Sequence, residues 1–364
     1  MRTDIYNALQ SLSQSSEHMI GYPLNLDFDY SEIFDFLAYH INNIGDPFVL
    51  SRLGIDSKQI EQTCIEYFAQ LYELTDYWGY ITSGGTEGNT YGILMGRELY
   101  PDGIFYCSED SHYSVPKAAY LLNIPHVPIS SQANGEIDYE HLQYEISQRK
   151  QQSAILNLNL GTTMKGAVDN IDRVVDILEK LQVPFHIHCD GALGGMLLPF
   201  INEAPKISFQ EYPIGSIAIS GHKFLGSPIP YGVLITRKTL ERKLEKNIEY
   251  IATKDTTLSG SRSGLAALLL WDAITKRKEK LAREVSTCIQ NSLYLYERLQ
   301  EMGYHPMLND YSTTVVFDKP AYKICNKWHL ATQGDLAHIV VMLHVSQEKL
   351  DKFLDDLSVT GLTH

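Results

Sequence analysis

The chain has 364 residues, 44% hydrophobic and 20% charged, the proportions of a globular protein with length for one large core or two linked domains. Its formal net charge of −14, from 30 basic and 44 acidic residues, argues against a nucleic-acid or anionic-membrane partner. No apolar run is long enough to span a bilayer, and the first residues lack the apolar centre of a signal peptide.

Residues 1–56 read as an N-terminal arm, of the sort that often clasps a partner subunit. Asn7–Ser16 is a helix candidate, Gly21-Tyr22-Pro23 breaks it, Ile33–Ile41 is apolar at helical spacing, and Gly45-Asp46-Pro47 is a turn. Ser57–Leu74 carries Ile60, Cys64, Ile65, Phe68, Leu71 and Tyr72 at helical intervals. From Tyr80 onward short apolar runs alternate with helical segments. The runs are Tyr80–Thr82, Ile104–Cys107, His126–Ile129, Ala154–Leu158, Phe185–Cys189, Ile217–Ser220 and Val233–Ile235. The helices between them are expected near Gly88–Tyr100, Ser114–Leu122, Tyr139–Gln148 and Asp169–Leu181. This pattern predicts an α/β domain over 57–264, with a mostly parallel sheet covered by helices on both faces. Residues 265–364 begin with a long helical stretch, Leu265–Met302. Thr313–Phe317, Ala337–Leu343 and a last helix, Ser346–Leu357, then suggest a small α+β domain.

Cys64, Cys107, Cys189, Cys288 and Cys325 are odd in number and lack a C-x-x-C spacing, so they read as reduced thiols of a cytoplasmic protein. The thirteen histidines show no H-E-x-x-H pairing, and no metal site is expected.

Four stretches carry chemistry. Ser83-Gly84-Gly85-Thr86-Glu87-Gly88-Asn89 follows a strand and opens a helix, where glycines, free N–H groups and the Thr86 hydroxyl can cradle a phosphate. His112, after another strand, is placed to stack on an aromatic ring. Asp190 ends the strand His186-Ile187-His188-Cys189, ahead of small residues. A carboxylate there can hold a pyridine nitrogen protonated. Ser220-Gly221-His222-Lys223 ends a further strand. Burial lowers a lysine pKa, and a neutral amine can form a Schiff base with an aldehyde cofactor. Each signal alone is ordinary. Their order, anion cup, ring face, pyridinium partner and amine, matches the parts of a pyridoxal 5′-phosphate (PLP) site.

With these residues in view, the chain resembles the PLP-dependent group II amino-acid decarboxylases of fold type I, the aspartate aminotransferase superfamily. The resemblance runs from about Gly21 to Leu357, and is strongest to the subgroup of histidine decarboxylases and plant serine decarboxylases. G-Y-P-L-N-L-D-F-D-Y, I-N-N-I-G-D-P-F, G-T-E-G-N, S-H-Y-S, H-C-D-G-A-L, S-G-H-K-F and Q-G-D-L-A-H are the stretches that carry it. It implies that Lys223 joins the cofactor, Asp190 binds the pyridine nitrogen and His112 stacks on the ring. Gly85, Thr86, Ser220 and His222 would hold the phosphate, and Thr162 would lie near the phenolic oxygen or the Asp190 carboxylate. A homodimer is implied, with Ser261 reaching the neighbouring subunit's cofactor and Tyr250, on a loop, protonating the intermediate.

Tyr22 and Leu24 would border the substrate. Leu24 departs from the family, which carries an aromatic in the plant enzymes and Glu in the bacterial histidine decarboxylases. Asp46-Pro47-Phe48 follows the serine type. The implied reaction is decarboxylation of a free L-amino acid, L-serine to ethanolamine first and L-histidine to histamine close behind. Alternatives are another fold type I reaction (an aminotransferase or a decarboxylation-dependent aldehyde synthase) and a catalytically silent PLP-fold binding protein. Ser-x-His-Lys disfavours an aminotransferase, Tyr250 disfavours the aldehyde synthase, and intact Lys223, Asp190 and Thr86 disfavour the silent form.

Overall fold

Short runs of β-branched and aromatic residues become strands here because both of their faces are covered. A computed structural model describes residues 3–241, 246–248 and 253–360. β1 (Tyr77–Thr82), β2 (Ile104–Ser108), β3 (His126–Ile129), β4 (Ala154–Asn159), β5 (Phe185–Asp190), β6 (Ile214–Ile219) and β7 (Gly232–Arg237) form one sheet. Its order is β1-β7-β6-β5-β4-β2-β3. Pairing is parallel from β3 through β2, β4 and β5 to β6, whereas β7 runs antiparallel to both β6 and β1. The expected α/β class, with a mostly parallel sheet, is what the chain adopts.

The helices in chain order are α1 (Thr3–Glu17), α2 (Lys58–Leu71), α3 (Gly85–Leu99), α4 (Ser114–Leu121), α5 (Tyr139–Ser147), α6 (Ile171–Leu181) and α7 (Lys238–Glu241), then α8 (Gly264–Arg277), α9 (Leu281–Glu301), α10 (Tyr322–Lys327) and α11 (Gln347–Thr360). Several begin where a side chain accepts the otherwise unpaired first N–H groups. Asp138 does so for α5, Asn170 for α6 and Ser263 for α8. α3 packs closest to the sheet. Gly88, Gly92 and Gly96 recur every four residues along it, so they share one face. A Cβ on Gly92 would stand 2.1 Å from the His188 ring, and one on Gly88 2.8 Å from the Ala218 side chain. Only glycine lets this helix lie so near β5 and β6.

The helical stretch expected over Leu265–Met302 is two helices, α8 and α9. Lys276, Arg277, Lys278 and Lys280 crowd like charges into the break. There Arg277 turns back to bridge Glu284 at 2.8 Å and to donate to the Phe224 and Leu225 carbonyls. This anchors the wide turn His222–Gly226, a single turn of π-helix that carries Lys223. A short hairpin, β8 (Lys246–Ile248) and β9 (Thr253–Asp255), precedes α8. A second sheet follows, antiparallel in the order β10-β11-β13-β12, from β10 (Met307–Leu308), β11 (Thr314–Asp318), β12 (Ala331–Gln333) and β13 (Leu336–Val340). One continuous apolar core joins both sheets through α8 and α9.

The N-terminal segment has exposed and buried parts. α1 buries none of its side chains, and Ser31–Ala38 is a 3-10 helix that leaves Phe34 and Leu37 exposed. Asn43 and Asp46, by contrast, are buried. Asp46 accepts from the Trp78 indole at 2.9 Å and from the Thr256 hydroxyl at 2.8 Å. Beside them Glu61 and Arg262 form a buried ion pair, and Glu61 also accepts from Asn43 and from the Ile81 backbone. Removing one partner leaves a buried charge unpaired. Arg262→Met is therefore expected to cost about 3–5 kcal/mol, read as a lower urea midpoint. A double variant that also replaces Glu61 with Leu is expected to lose less.

Candidate active site

The C-terminal ends of β1, β2, β4, β5 and β6 open onto one cavity of about 390 Å³ between the two sheets. Parallel sheets bind ligands at this edge because the loops there and the following helix N-termini converge on it. Tyr22, Gly85, Thr86, His112, Thr162, Asp190, Ser220, His222 and Lys223 all line it. Two of the expected residues do not. Leu24 is outside the lining: the backbone turns where the Leu24 N–H meets the Tyr22 carbonyl at 2.7 Å, so Tyr22 and Pro23 face the cavity while Leu24 is exposed. Ser261 is exposed, held by Asn42 at 3.1 Å, and faces no part of this chain's own cavity. Tyr250 lies outside the described residues.

Lys223 has no hydrogen-bond or ion-pair partner for its amine among the described residues. Burial pushes its pKa down, and nearby Asp190 pulls the other way. Burial also lowers His222 and His112; Lys223 lowers both further, while Asp190 opposes the shift at His112. The first turn of α3, Gly85, Thr86 and Glu87, lines the cavity, and Gly84 offers it no side-chain cap. Gly84 has φ of 155°, a conformation that side chains disfavour. A Cβ on Gly85 would crowd the Ser220 hydroxyl at 2.7 Å. Glu87 buttresses this loop by accepting from the Ser83 N–H at 2.8 Å and its hydroxyl at 2.7 Å.

Asp190 sits at the floor. One oxygen accepts from the Ala192 N–H at 3.1 Å and the other from the Asn89 side-chain amide at 2.7 Å. The Thr162 hydroxyl accepts from the Ala167 N–H at 3.0 Å and makes no hydrogen bond to Asp190. Residues that the motifs did not single out support the floor: Asn89, Ser114, His188 and Ser216. Strand periodicity offered one signal, because His186, His188 and Asp190 alternate on one face of β5.

An uncapped helix N-terminus with Thr86 and Ser220 beside it suits a phosphate, Asp190 suits a protonated ring nitrogen, and the unpaired, desolvated Lys223 suits an aldehyde carbon. The residues present therefore fit pyridoxal phosphate. Fold and site together define a PLP-dependent enzyme of fold type I.

Comparison with known proteins takes this further. Residues 94–319 match the family model described as the pyridoxal-dependent decarboxylase conserved domain. The chain is 46% identical over 355 residues to serine decarboxylase 1 of Oryza sativa subsp. japonica, covering 96% of this chain and 73% of that protein. It is 46% identical to a histidine decarboxylase of Solanum lycopersicum (96% and 86% covered) and 42% to one of Vibrio campbellii (95% and 91%). Among solved structures, L-methionine decarboxylase from Streptomyces sp.590 superposes with a TM-score of 0.90 at 26% identity, over 99% of this chain and 94% of that one. The chain belongs to the pyridoxal-dependent decarboxylase family. It is a PLP-dependent carboxy-lyase acting on an amino acid.

Burial holds His186 down to about 4 and His188 to about 3, against an ordinary value of 6.5. Between those limits the unfolded chain binds protons that the folded chain refuses, so stability falls as pH drops from about 6.5 towards 4. Asp169, raised by burial to about 6, acts in the opposite sense. His186→Gln keeps a donor for the Gly92 carbonyl, which His186 meets at 3.0 Å, but removes the titration. The variant is expected to flatten the fall in urea midpoint across that window.

Proposed function

We propose that the enzyme decarboxylates a small polar L-amino acid, L-serine first, releasing ethanolamine and carbon dioxide, with L-histidine as the second candidate. The observation that supports this most is the size of the one cavity that Lys223, Asp190 and His112 share. At about 390 Å³ it is near the lower end of the roughly 300–1,000 Å³ typical of ligand pockets, and it must take cofactor and substrate together. Ser312 and Thr314 add hydroxyls to the wall away from Lys223. Relatives named serine decarboxylases, 46–48% identical over most of the chain, point the same way.

The residue roles follow from their chemistry. Desolvation favours the neutral Lys223 amine, the form that attacks a carbonyl carbon. Gly85, Thr86, Ser220 and His222 would hold the phosphate, and Asp190 would keep a proton on the ring nitrogen. His112 would cover the ring face, with Thr162 near its edge. When bound, pyridoxal phosphate supplies the aldehyde that captures the substrate amine and a ring that takes up the electrons released with carbon dioxide. Tyr250, outside the described residues, would donate the proton that Cα takes up, and Tyr22 would border the substrate side chain.

The same reading makes the enzyme a homodimer with active sites at the subunit interface. Exposed Ile5, Leu9 and Leu12 on α1, with Phe34 and Leu37, support a partner covering this segment, and exposed Ser261 is free to reach the neighbour's cofactor. It divides the chain into an arm over 1–56, a cofactor-binding domain over 57–264 and a smaller C-terminal domain over 265–364, in keeping with the two separate sheets. Five unpaired cysteines suit a cytoplasmic protein. Among the described residues no helix is long and apolar enough to cross a membrane.

Carbon dioxide release across the twenty amino acids tests the substrate. The largest kcat/KM is expected for L-serine, and a preference for L-histidine would reverse the order. Lys223→Ala is expected to lower turnover by at least about a thousandfold while cofactor and substrate remain bound. Normal turnover would remove the role given to Lys223.

A further inference from the structure

Behind Asp190 lies a chain of buried side chains whose hydrogen-bond polarity is fully determined. Asn89 meets Asp190 Oδ2 at 2.7 Å, and a carboxylate oxygen accepts, so the atom facing it is the Nδ2 amide. Asn89 Oδ1 therefore points the other way, to His188 Nε2 at 3.0 Å, which must carry the imidazole proton. His188 Nδ1 is then an acceptor, and the Ser216 hydroxyl donates to it at 2.8 Å. Burial pushes His188 down to about 3, so it keeps this one-proton form throughout the neutral range.

A second branch leaves the same amide. Asn89 Nδ2 has another hydrogen, donated to Ser114 Oγ at 3.1 Å. Ser114 Oγ lies 2.8 Å from His112 Nδ1, and the Ser114 N–H also points at that nitrogen from 3.3 Å. Two donors converge on Nδ1, so it bears no hydrogen, and neutral His112 carries its proton on Nε2. Asn89, Ser114, His188 and Ser216 are all buried, and each donor and acceptor along the path is used.

From this we infer that Asn89 and His188 are positioning residues: the relay Ser216–His188–Asn89 aims one carboxylate oxygen of Asp190 and, through Ser114, selects the His112 tautomer with its proton on Nε2. This rests on the reading of Asp190 and His112 as cofactor contacts. One amide thereby couples the group at the ring nitrogen to the group over the ring face. A ring whose nitrogen loses its partner withdraws electrons less well, so the relay acts on the chemical step more than on substrate binding.

Two substitutions at the relay and one conservative rescue test this in the full-length enzyme. Asn89→Asp is isosteric but sets a second carboxyl against Asp190; two such groups at hydrogen-bond distance cannot both be charged. The new group also becomes an acceptor for the Ser114 hydroxyl, which releases His112 Nδ1. His188→Leu removes the donor to Asn89 Oδ1. His188→Gln restores it, because a glutamine amide offers both an N–H donor and an oxygen acceptor, as the imidazole offers a donor and an acceptor. Pyridoxal phosphate titrated into the stripped protein gives its dissociation constant, and the bound form gives an absorption maximum and its pH profile.

Asn89→Asp and His188→Leu are expected to weaken cofactor binding about tenfold or more, to shift the absorption band and to lower kcat more than they change KM. His188→Gln is expected to recover most of each loss, with melting temperatures as the check on folding. Asn89→Asp keeps the test decisive if His188→Leu does not fold. Wild-type affinity, spectrum and kcat in folded Asn89→Asp would overturn the relay alone. A wild-type protein that binds no pyridoxal phosphate would remove the wider assignment and this one with it.

Discussion

A single buried hydrogen bond, Asn89 Nδ2 to Asp190 Oδ2 at 2.7 Å, joins the glycine-rich helix start at Gly85 to the end of the strand that carries Asp190. Its two residues lie 101 positions apart, and they meet because α3 has a face without side chains. Bulk at Gly88 or Gly92 would lift the helix off β5 and β6. The N-terminal N–H groups of α3 would then move away from Ser220, and the amide would move away from the carboxylate. The start of α3 and the Asp190 carboxylate are thus held in register by one packing contact. Interiors at crystal-like density transmit such a displacement rather than absorb it.

The second constraint is the turn that carries Lys223. A π-turn is rare and exposes backbone carbonyls that an α-helix would satisfy. Here Arg277 donates to those of Phe224 and Leu225, and Asn25 donates to Phe224 as well, while the Asn25 N–H meets the Lys223 carbonyl at 3.1 Å. The backbone is therefore clamped on both sides, and the Lys223 amine has no partner among the described residues. The break between α8 and α9 is accordingly more than a helix end: it frees Arg277 to turn back onto this turn.

Much of this was legible in the linear order of residues. Lys223, Asp190, His112, Gly85 and Thr86 each stand just beyond an apolar run, and strands of a parallel sheet deliver such positions to one edge. Asn89 was not legible as a partner of Asp190, though it lies within the quoted cup motif. A polar residue one turn into a helix has no fixed partner until the helix is docked. His188 looked like an incidental member of the strand preceding Asp190, since its tautomer depends on Ser216 and Asn89, from two other elements. Leu24 lies outside the lining of this chain's cavity for a related reason. Its neighbour Tyr22 does line the cavity, and only the local backbone turn decides which of the two faces in.

Local periodicity and turn chemistry alone determined the alternation of strands and helices, the α/β class and the chain positions of the reactive groups, because those depend on neighbours within one or two turns. The tertiary structure decided the direction of β7, the division of the long helical stretch, the burial of Asn43 and Asp46 within a supposed arm, and the polarity of the hydrogen bonds behind Asp190. Each of these turns on which distant donor meets which acceptor once apolar faces have closed, and no stretch of sequence contains both halves of such a pair.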